Sequence, residues 1–158
     1  MYGRIYTVSF NGVSVSAAQD LFELLASADA ALVLHRLTLS QSSEAGDSED
    51  EQLHVSIRRV TGAPTSGSGG STPTPAPKNE DDTAAAITAE ANNTTQLSGG
   101  TNTVLHAESF NVRAGLDYFP PPEHRFTFQP STRCLIELEA APADAITMSG
   151  TVVVEEIK

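Results

Sequence analysis

The side chains in this sequence best suited to hold a metal ion are four histidines that lie far apart: His35, His54, His106 and His124. None belongs to an H-x-H or H-E-x-x-H pair, the spacings that place two imidazoles on one zinc ion. His35 and His54 could become neighbours, because they lie on two successive predicted strands. A zinc site also needs a third ligand and a supporting second shell. We therefore expect ordinary strand-end histidines, with no metal and no cofactor.

Carboxylates are densest between Glu44 and Glu51, where five residues are acidic. The stretch contains Gly46 but lacks the alternating oxygen ligands and terminal Glu of an EF-hand loop, so it predicts a solvated turn. Glu108, Glu137 and Glu139 lie on predicted strands. Glycoside hydrolysis needs two carboxylates held across a cleft, whereas acids on the solvated face of a sheet are common in β-proteins.

No other spacing in the chain matches a catalytic signature. The sequence GSGG at 67–70 lacks the Gly-Lys-Ser/Thr ending and the following helix of a phosphate-binding loop. No Gly-x-Ser-x-Gly elbow supports Ser-His-Asp catalysis. We predict that the protein is not an enzyme and has no catalytic residues.

The strongest aromatic cluster is formed by Tyr118 and Phe119, which precede three prolines, Pro120, Pro121 and Pro122. Prolines cannot donate to a sheet ladder, so the chain here is an edge or a loop. Two interpretations remain open. The cluster is either a packed strand end closed by proline, or an exposed binding surface.

The composition excludes several classes of partner. The chain has 158 residues, a length that suggests one domain, and its 9 basic and 20 acidic residues give a formal charge of −11. A nucleic-acid-binding surface needs a basic footprint, so nucleic acid is not an expected partner. The sequence has no recognisable signal peptide or membrane-spanning run, and we expect no membrane association. The single cysteine, Cys134, excludes an intrachain disulfide and is interpreted as a buried apolar residue.

Short strands with turn signals at roughly ten-residue spacing predict an all-β, antiparallel sandwich, with a jelly roll as the first choice. Asn11-Gly12 predicts a two-residue hairpin. Residues Ala17–Leu25 fit either a short helix or a strand, and the β context favours the strand. The most apolar segment, Ala31–Gln41, should pair with Gln52–Val60 as an antiparallel hairpin, since sequential strands usually pair.

One long segment, Thr61–Lys78, contains almost nothing that could enter a core. Its Gly-rich half is flexible and its Pro-x-Pro half is stiff and extended. We expect one domain, 1–158, with an extended arm at 61–82. The arm should contact a neighbouring subunit or partner surface without joining a ladder, and deletion of 66–77 should leave the fold unchanged. The residues predicted to make this contact are Thr65, Ser66, Gly67, Gly69, Gly70, Pro73, Pro75 and Pro77.

Several segments together resemble small proteins encoded in phage and prophage structural regions. They are SAAQDLFEL, LSQSSEAGD, SGSGGSTPTP, EANNTT and APADAITMSGTVVVEEI. In fold, the chain resembles the β-sandwich decoration, or cement, proteins of icosahedral phage heads. The resemblance implies a structural virion protein, made in the host cytoplasm, that binds the major capsid protein on the outer capsid surface and stabilises the shell. It also implies a homotrimer, and we place Val152 and Val154 near the subunit contact.

The main alternative is a carbohydrate-binding or receptor-binding β-module of a phage tail. Such a module presents exposed aromatic side chains in a groove, yet the chain has no Trp and three Tyr. A trimer in solution would favour the decoration protein over a monomeric sugar-binding module.

Overall fold

The computed structural model describes residues 3–43 and 50–158, which form two antiparallel sheets packed face to face. In the first sheet the order is β5-β1-β11-β3-β8, and β9 also pairs with β3; in the second sheet it is β6-β2-β10-β4-β7. The strands of the first sheet are β1 (Arg4–Val15), β3 (Ala31–Gln41), β5 (Ala76–Pro77), β8 (Leu116–Tyr118), β9 (Thr127–Phe128) and β11 (Ile146–Ile157). Those of the second are β2 (Gln19–Leu25), β4 (Gln52–Thr61), β6 (Thr88–Asn93), β7 (Thr101–Asn111) and β10 (Arg133–Leu138).

The predicted antiparallel sandwich is confirmed, and its strand order is that of a jelly roll. Without the short strands β5, β6 and β9, one sheet reads β1-β11-β3-β8 and the other β2-β10-β4-β7. This is the arrangement of two interlocked Greek keys. The only described helix is a 3-10 turn at Pro122–His124. No helix in the described part of the chain is long and apolar enough to cross a membrane.

The core lies between the sheets and follows the two-residue alternation of the strands. In β11, residues Ile146, Met148, Val152 and Val154 are fully buried, whereas the alternate residues face outward and are half-buried. Rings from the two sheets meet where the centroids of Phe10 and Phe22 lie 5.1 Å apart. Burying a large aliphatic side chain in this way stabilises the fold by about 1.5–3 kcal/mol.

The placement of Val152 and Val154 at a subunit contact is wrong. Both side chains have no exposed surface because they fill the space between the two sheets of their own chain. Strand β11 is also central, with β1 on one side and β3 on the other, so neither of its edges is open.

The predicted hairpin between β3 and β4 is also wrong. β3 pairs with β11, β8 and β9, whereas β4 pairs with β10 and β7 in the opposite sheet. Alternation shows which face of a strand is buried but not which strand lies beside it. The predicted acidic turn at 44–51 lies outside the described residues, apart from Asp50 and Glu51.

Asn11-Gly12 forms a β-bulge and not the predicted hairpin, and β1 continues through it. Phe10 pairs with Gly150 and Val13 with Met148, so two residues of β1 oppose Ser149 alone. Gly12 adopts φ +65°, a conformation that suits glycine. The Ser149 hydroxyl accepts a bond from the Gly12 N–H at 3.0 Å and donates to Asn11 Oδ1 at 3.1 Å.

The strand interpretation of Ala17–Leu25 is confirmed by β2, which has an unusual burial pattern. All of its residues except Leu25 are buried, including Gln19, Asp20 and Glu23. Its outward face therefore carries polar side chains that are covered by other parts of the chain. Cys134 is buried on the neighbouring β10, as predicted.

Substitution of Gly150 tests the packing between the sheets. A Cβ at this position would lie 2.7 Å from a ring atom of Phe10 and 2.9 Å from a methyl of Leu39. We expect Gly150→Val to lower the free energy of unfolding by ~1–3 kcal/mol through overpacking, as measured by urea denaturation. Thr147→Val, which adds the same side chain on the outward face of β11, should change it by less than about 0.5 kcal/mol. Equal effects of both substitutions would contradict this assignment of faces.

Candidate functional site

The first half of the predicted arm folds back over the outer face of the second sheet. The ladder between β4 and β7 ends where Thr61 pairs with Thr101. Beyond that pair, the segment after β4 and the segment before β7 continue side by side. Residues 62–71 and 94–100 form this continuation, the strap. Three isolated antiparallel bridges fasten the arm to β6 and to the chain that follows it: Ser71 with Ala91, Ser68 with Thr95 and Thr65 with Ser98. The prediction that the arm joins no ladder is therefore wrong.

The second half of the arm also pairs with its own chain. Ala76 and Pro77 lie beside Thr7 and Tyr6 of β1, and the Lys78 N–H donates to the Ile5 carbonyl at 2.8 Å. Backbone N–H groups alternate in direction along a strand, so those of even-numbered residues face β1 and those of odd-numbered residues face outward.

Each proline of this half stands at an odd position: Pro73, Pro75 and Pro77. At Pro77, which lies in β5, the missing donor is therefore on the outer side, where an edge strand tolerates proline. All three rings are half-buried, whereas Thr72, Thr74 and Ala76 are exposed.

The arm glycines permit close backbone approach. A Cβ at Gly67 would lie 2.6 Å from the Thr95 carbonyl oxygen, and one at Gly70 would collide with the Ala91 carbonyl oxygen. Gly69 adopts φ +86°, which disfavours other residues. In the described structure these glycines contact their own chain, and their predicted contact with a second molecule stays a prediction.

Two buried carboxylates of β2 hold the strap. Asp20 Oδ2 accepts the Leu97 N–H at 2.6 Å, and Glu23 Oε2 accepts the Gly67 N–H at 3.1 Å. The second oxygen of Glu23 accepts Arg133 Nε at 2.9 Å. Asp20 and Glu23 are 1% and 4% exposed, so these are charged groups beneath a cover of backbone. Hydrogen bonds to charged groups are stronger than neutral ones, so the carboxylates anchor the strap.

Asp20 is the least satisfied of the buried acids. Its Oδ1 has no hydrogen-bond partner. Burial raises its pKa to about 6, the Leu97 N–H lowers it, and the nearby Glu137 and Glu23 raise it further. Its charged form is therefore held in the fold at a cost to stability.

Glu137 of β10 and Glu139, which directly follows that strand, are both engaged with an arginine and not held across a cleft. Arg58 lies 3.3 Å from Glu137 and 2.5 Å from Glu139. Burial raises the pKa of Glu137; for Glu139 the hydrogen bonds from Arg58 and Ser56 outweigh the effect of burial, and its pKa is lowered. Gln96 of the strap donates to Glu137 at 2.9 Å, so these carboxylates also belong to the strapped face.

The histidines do not converge. His35 lies in the first sheet with Nε2 2.7 Å from Glu155 Oε2, whereas His54 lies in the second sheet, on β4. They are therefore not the cross-strand neighbours that the hairpin prediction required. Within residues 3–43 and 50–158, no group of three His, Cys, Asp or Glu side chains is placed to hold a metal ion.

An aromatic cleft opens at one side of the sandwich, between the edge strands β7 and β8. Its volume is about 600 Å³. The residues that line it are His106, Tyr118, Pro120, Pro121, Glu123, His124, Arg125 and Phe126. The aromatic cluster predicted from sequence is thus half of a concave site, and its other half comes from β7 and from the chain after the 3-10 turn.

Three rings form the wall of the cleft. The Tyr118 ring lies nearly parallel to Phe126, at 8° with centroids 6.3 Å apart, and its centroid is 4.6 Å from that of His106. Burial, and then the nearby Glu108, raise the pKa of Tyr118, so its hydroxyl remains a neutral donor at pH 7. Parallel ring faces of this kind suit stacking of a ring or an apolar side chain.

Arg125 is the one arginine or lysine that lines the cleft, and its side chain forms neither an ion pair nor a hydrogen bond within the described structure. Its Nε is buried without a hydrogen-bond partner. Of the other polar groups around the cleft, Arg36 binds Asp117 through two bonds of 2.7 and 2.8 Å, and the His106 ring lies 3.0 Å from Glu108. The hydrogen bond from Arg36 holds the pKa of Asp117 below its ordinary value. A guanidinium without a partner, beside stacked rings, suits a ligand that carries an anionic oxygen.

Sequence reasoning identified Tyr118 and Pro120–Pro122 but missed His106, Arg125 and Phe126. These three come from segments on either side of the proline run and meet Tyr118 because β7 and β8 lie at the same side of two different sheets. No local spacing signals that meeting.

The comparisons with known proteins add no relative: no family model, curated protein or solved structure matches the chain.

Asp20→Asn tests the cost of the buried charge. The pKa of Asp20 is about 6 in the fold against 3.8 ordinarily, so its ionisation removes stability as the pH rises from about 4 to 6, and that loss persists at pH 7. Asn keeps an acceptor for the Leu97 N–H. We expect a gain at pH 7 on the order of 1 kcal/mol, or ~2–4 °C in Tm, and a smaller gain at pH 4.

Glu23→Gln is the matched control for Asp20→Asn, because it breaks the pair with Arg133 and should lower Tm at both pH values. A fall in Tm for Asp20→Asn at pH 7 would show that its bond to Leu97 outweighs the cost of burial.

Deletion of 66–77 tests the strap directly, and the structure reverses the sequence-based expectation. Leu135 lies in register between Glu23 and Arg58 on the strapped face and is 1% exposed. Deletion uncovers this leucine and removes the bond to Glu23, so we expect a loss of at least about 2 kcal/mol in urea denaturation. Removal of the exposed turn residues Glu80 and Asp81 should have little effect. Unchanged stability of the longer deletion would contradict a structural role for the strap.

Proposed function

We propose that the protein is a non-enzymatic structural virion protein that binds the outer surface of a phage capsid as a decoration, or cement, protein. Its partner is the major capsid protein, and its active form is a homotrimer. The proposal is supported by the resemblance of several sequence segments to proteins from phage structural regions and by the jelly-roll sandwich, an architecture common among capsid proteins.

The observation that carries the proposal is the contrast between one open side of the sandwich and its closed surroundings. The arm covers the side formed by β5 and β6, whereas β7 and the aromatic cleft leave the opposite side accessible. A body closed on one side and open on the other suits a protein that attaches in one orientation. Fold alone does not assign this role, because jelly rolls serve many functions.

Trimer formation requires a surface other than Val152 and Val154. The exposed apolar side chains nearest the open side are Phe119, at 66% exposure, and Val104, at 53%. Arg36 lies over the Phe119 ring at 5.5 Å, which holds the ring in a defined position. These side chains are the candidates for a subunit contact near the cleft.

A second candidate is a carbohydrate-binding or receptor-binding module of a phage tail. The cleft favours it, since sugar rings stack on aromatic faces and Tyr118 and Phe126 offer two parallel ones. The absence of Trp from the chain counts against it.

Two measurements on one preparation test the function. Size-exclusion chromatography with light scattering should give three times the mass of the 16.6 kDa chain. Undecorated heads, assembled from the major capsid protein encoded in the same genome, should bind the protein saturably and resist heat or low salt better than bare heads. Phe119→Ser should weaken the trimer, and Lys158→Ser, at the chain end, serves as the control.

A monomer at micromolar concentration that ignores heads but binds glycans would overturn the decoration role in favour of the tail module. A monomer that binds heads saturably would contradict only the trimer.

A further inference from the structure

We propose that the outer edge of β7 and the aromatic cleft together bind an extended peptide segment that carries a carboxylate side chain. The proposal rests on the proposed function for the source of the segment, which is the capsid protein. It places the contact with the capsid protein at the outer edge of β7 and at Arg125.

The short edge strands β5, β6 and β8 are poor templates for an added strand. In β5, the outward position is Pro77, which lacks the N–H that a ladder needs. Ser71 and Ala91 exchange two backbone hydrogen bonds across the edge of β6. β8 is three residues long and soon meets Pro120–Pro122. Devices of this kind prevent edge-to-edge association.

β7 carries no such protection over the half beside the cleft. It is 11 residues long, mostly exposed, and pairs only with β4 within the described structure. A bulge at Leu105 interrupts its first half, but residues 106–111 pair in regular register with 52–57. An open, regular edge of this length is a template for β-strand addition.

The direction of the free donors follows from a bond at the end of β7. The Val112 N–H donates to the Glu51 carbonyl at 2.9 Å, toward the β4 side. By alternation, the N–H groups at 110, 108 and 106 also face β4, while those of Ala107 and Ser109 face outward. No described backbone group pairs with these two donors.

A strand added at this edge would place alternate side chains over the cleft. Phe110 of β7 is buried between the sheets, and His106, four residues earlier in the same register, contacts Tyr118 of the other sheet. The inward side chains of β7 therefore lie at the cleft. The inward side chains of a strand added beside β7 would lie there as well.

Arg125 sets the chemistry of the side chain that enters. Arg125 is half-buried and its guanidinium has no acceptor within the described structure, and a carboxylate is the group whose two oxygens match a guanidinium. The molecule carries a formal charge of −11; near the cleft, Asp117 is paired with Arg36, and Glu108 lies within hydrogen-bond distance of the His106 ring. Glu123 is the one acid among the lining residues, and Arg125 is the one lining residue whose side chain is always positively charged.

Backbone edge and cleft together favour a peptide over a free sugar. A sugar would use the rings but leave the donors of Ala107 and Ser109 to water. An extended segment satisfies these donors, the Arg125 guanidinium and the ring faces at once. Each contact alone is weak, but one chain that makes all three gains affinity and direction.

Two synthetic peptides serve as probes in NMR titration of the full-length 15N-labelled protein. One alternates Thr and Glu over eight residues, and the other alternates Thr and Gln. We expect the Glu peptide to shift the amides of 106–111 and the Arg125 Nε–H signal at millimolar concentration, and to bind at least threefold tighter than the Gln peptide. Arg125→Gln should remove that preference without shifting the unbound amides of β7.

Ala107→Pro tests the edge itself, because it removes one outward N–H and no bond to β4. It should weaken binding of the Glu peptide at least tenfold while the Tm stays within a few degrees. Ala107→Thr keeps the N–H and should bind as the natural chain does. Failure of the Glu peptide to shift 106–111 or Arg125, or equal binding by Ala107→Pro, would overturn the proposal.

The same variants on undecorated heads separate this inference from the proposed function. Loss of head binding by Ala107→Pro alone supports both. Undiminished head binding by Ala107→Pro would overturn the capsid segment as the occupant and leave the decoration role intact. Heads that reject the natural chain, while the Glu peptide still binds, would overturn the decoration role and the source but support the peptide site. A concentration-dependent dimer abolished by Ala107→Pro would identify a second copy as the occupant and overturn the proposal.

Discussion

The carboxylate of Glu23 is the interaction on which the outer layer of this molecule depends. It lies on a central strand pair, is nearly inaccessible to solvent, and joins a backbone N–H of the arm to the guanidinium of Arg133. A buried acid without such partners would be strongly destabilising. N–H groups of the strap donate hydrogen bonds to the buried acids of β2, which would otherwise lack these donors. The same bonds fix the path of the strap across the sheet.

These hydrogen bonds explain why a segment without large apolar side chains is ordered in this fold. Its glycines let the backbone approach within reach of carbonyls and carboxylates, and its prolines leave the donors on the β1 side in place. Hydrogen bonds and close backbone contacts stabilise this segment, whereas side-chain burial stabilises the sandwich. The segment is a third layer over part of the second sheet, built almost entirely from main chain.

The sequence predicted the sandwich because alternation reports which face of each strand is buried. It failed on partners, as with β3 and β4, because a jelly roll sends many successive strands to opposite sheets and leaves no local trace of this. The hairpin prediction at Asn11-Gly12 was wrong because a glycine at positive φ occurs in β-bulges as well as in hairpins. Half of the cleft was visible as an aromatic and proline cluster. Arg125 was not, since an unpaired guanidinium becomes conspicuous only when its surroundings are known.

The buried thiol of Cys134 has a practical consequence for work on this protein. It lies in the core, and burial raises its pKa well above the ordinary range, so it is neither accessible nor nucleophilic in the folded state. Toward thiol-reactive dyes and cross-linkers, the native chain therefore behaves as if it contained no cysteine. A cysteine introduced at any exposed position would be the single reactive handle, available for fluorophores, spin labels or display of cargo without first altering the natural sequence.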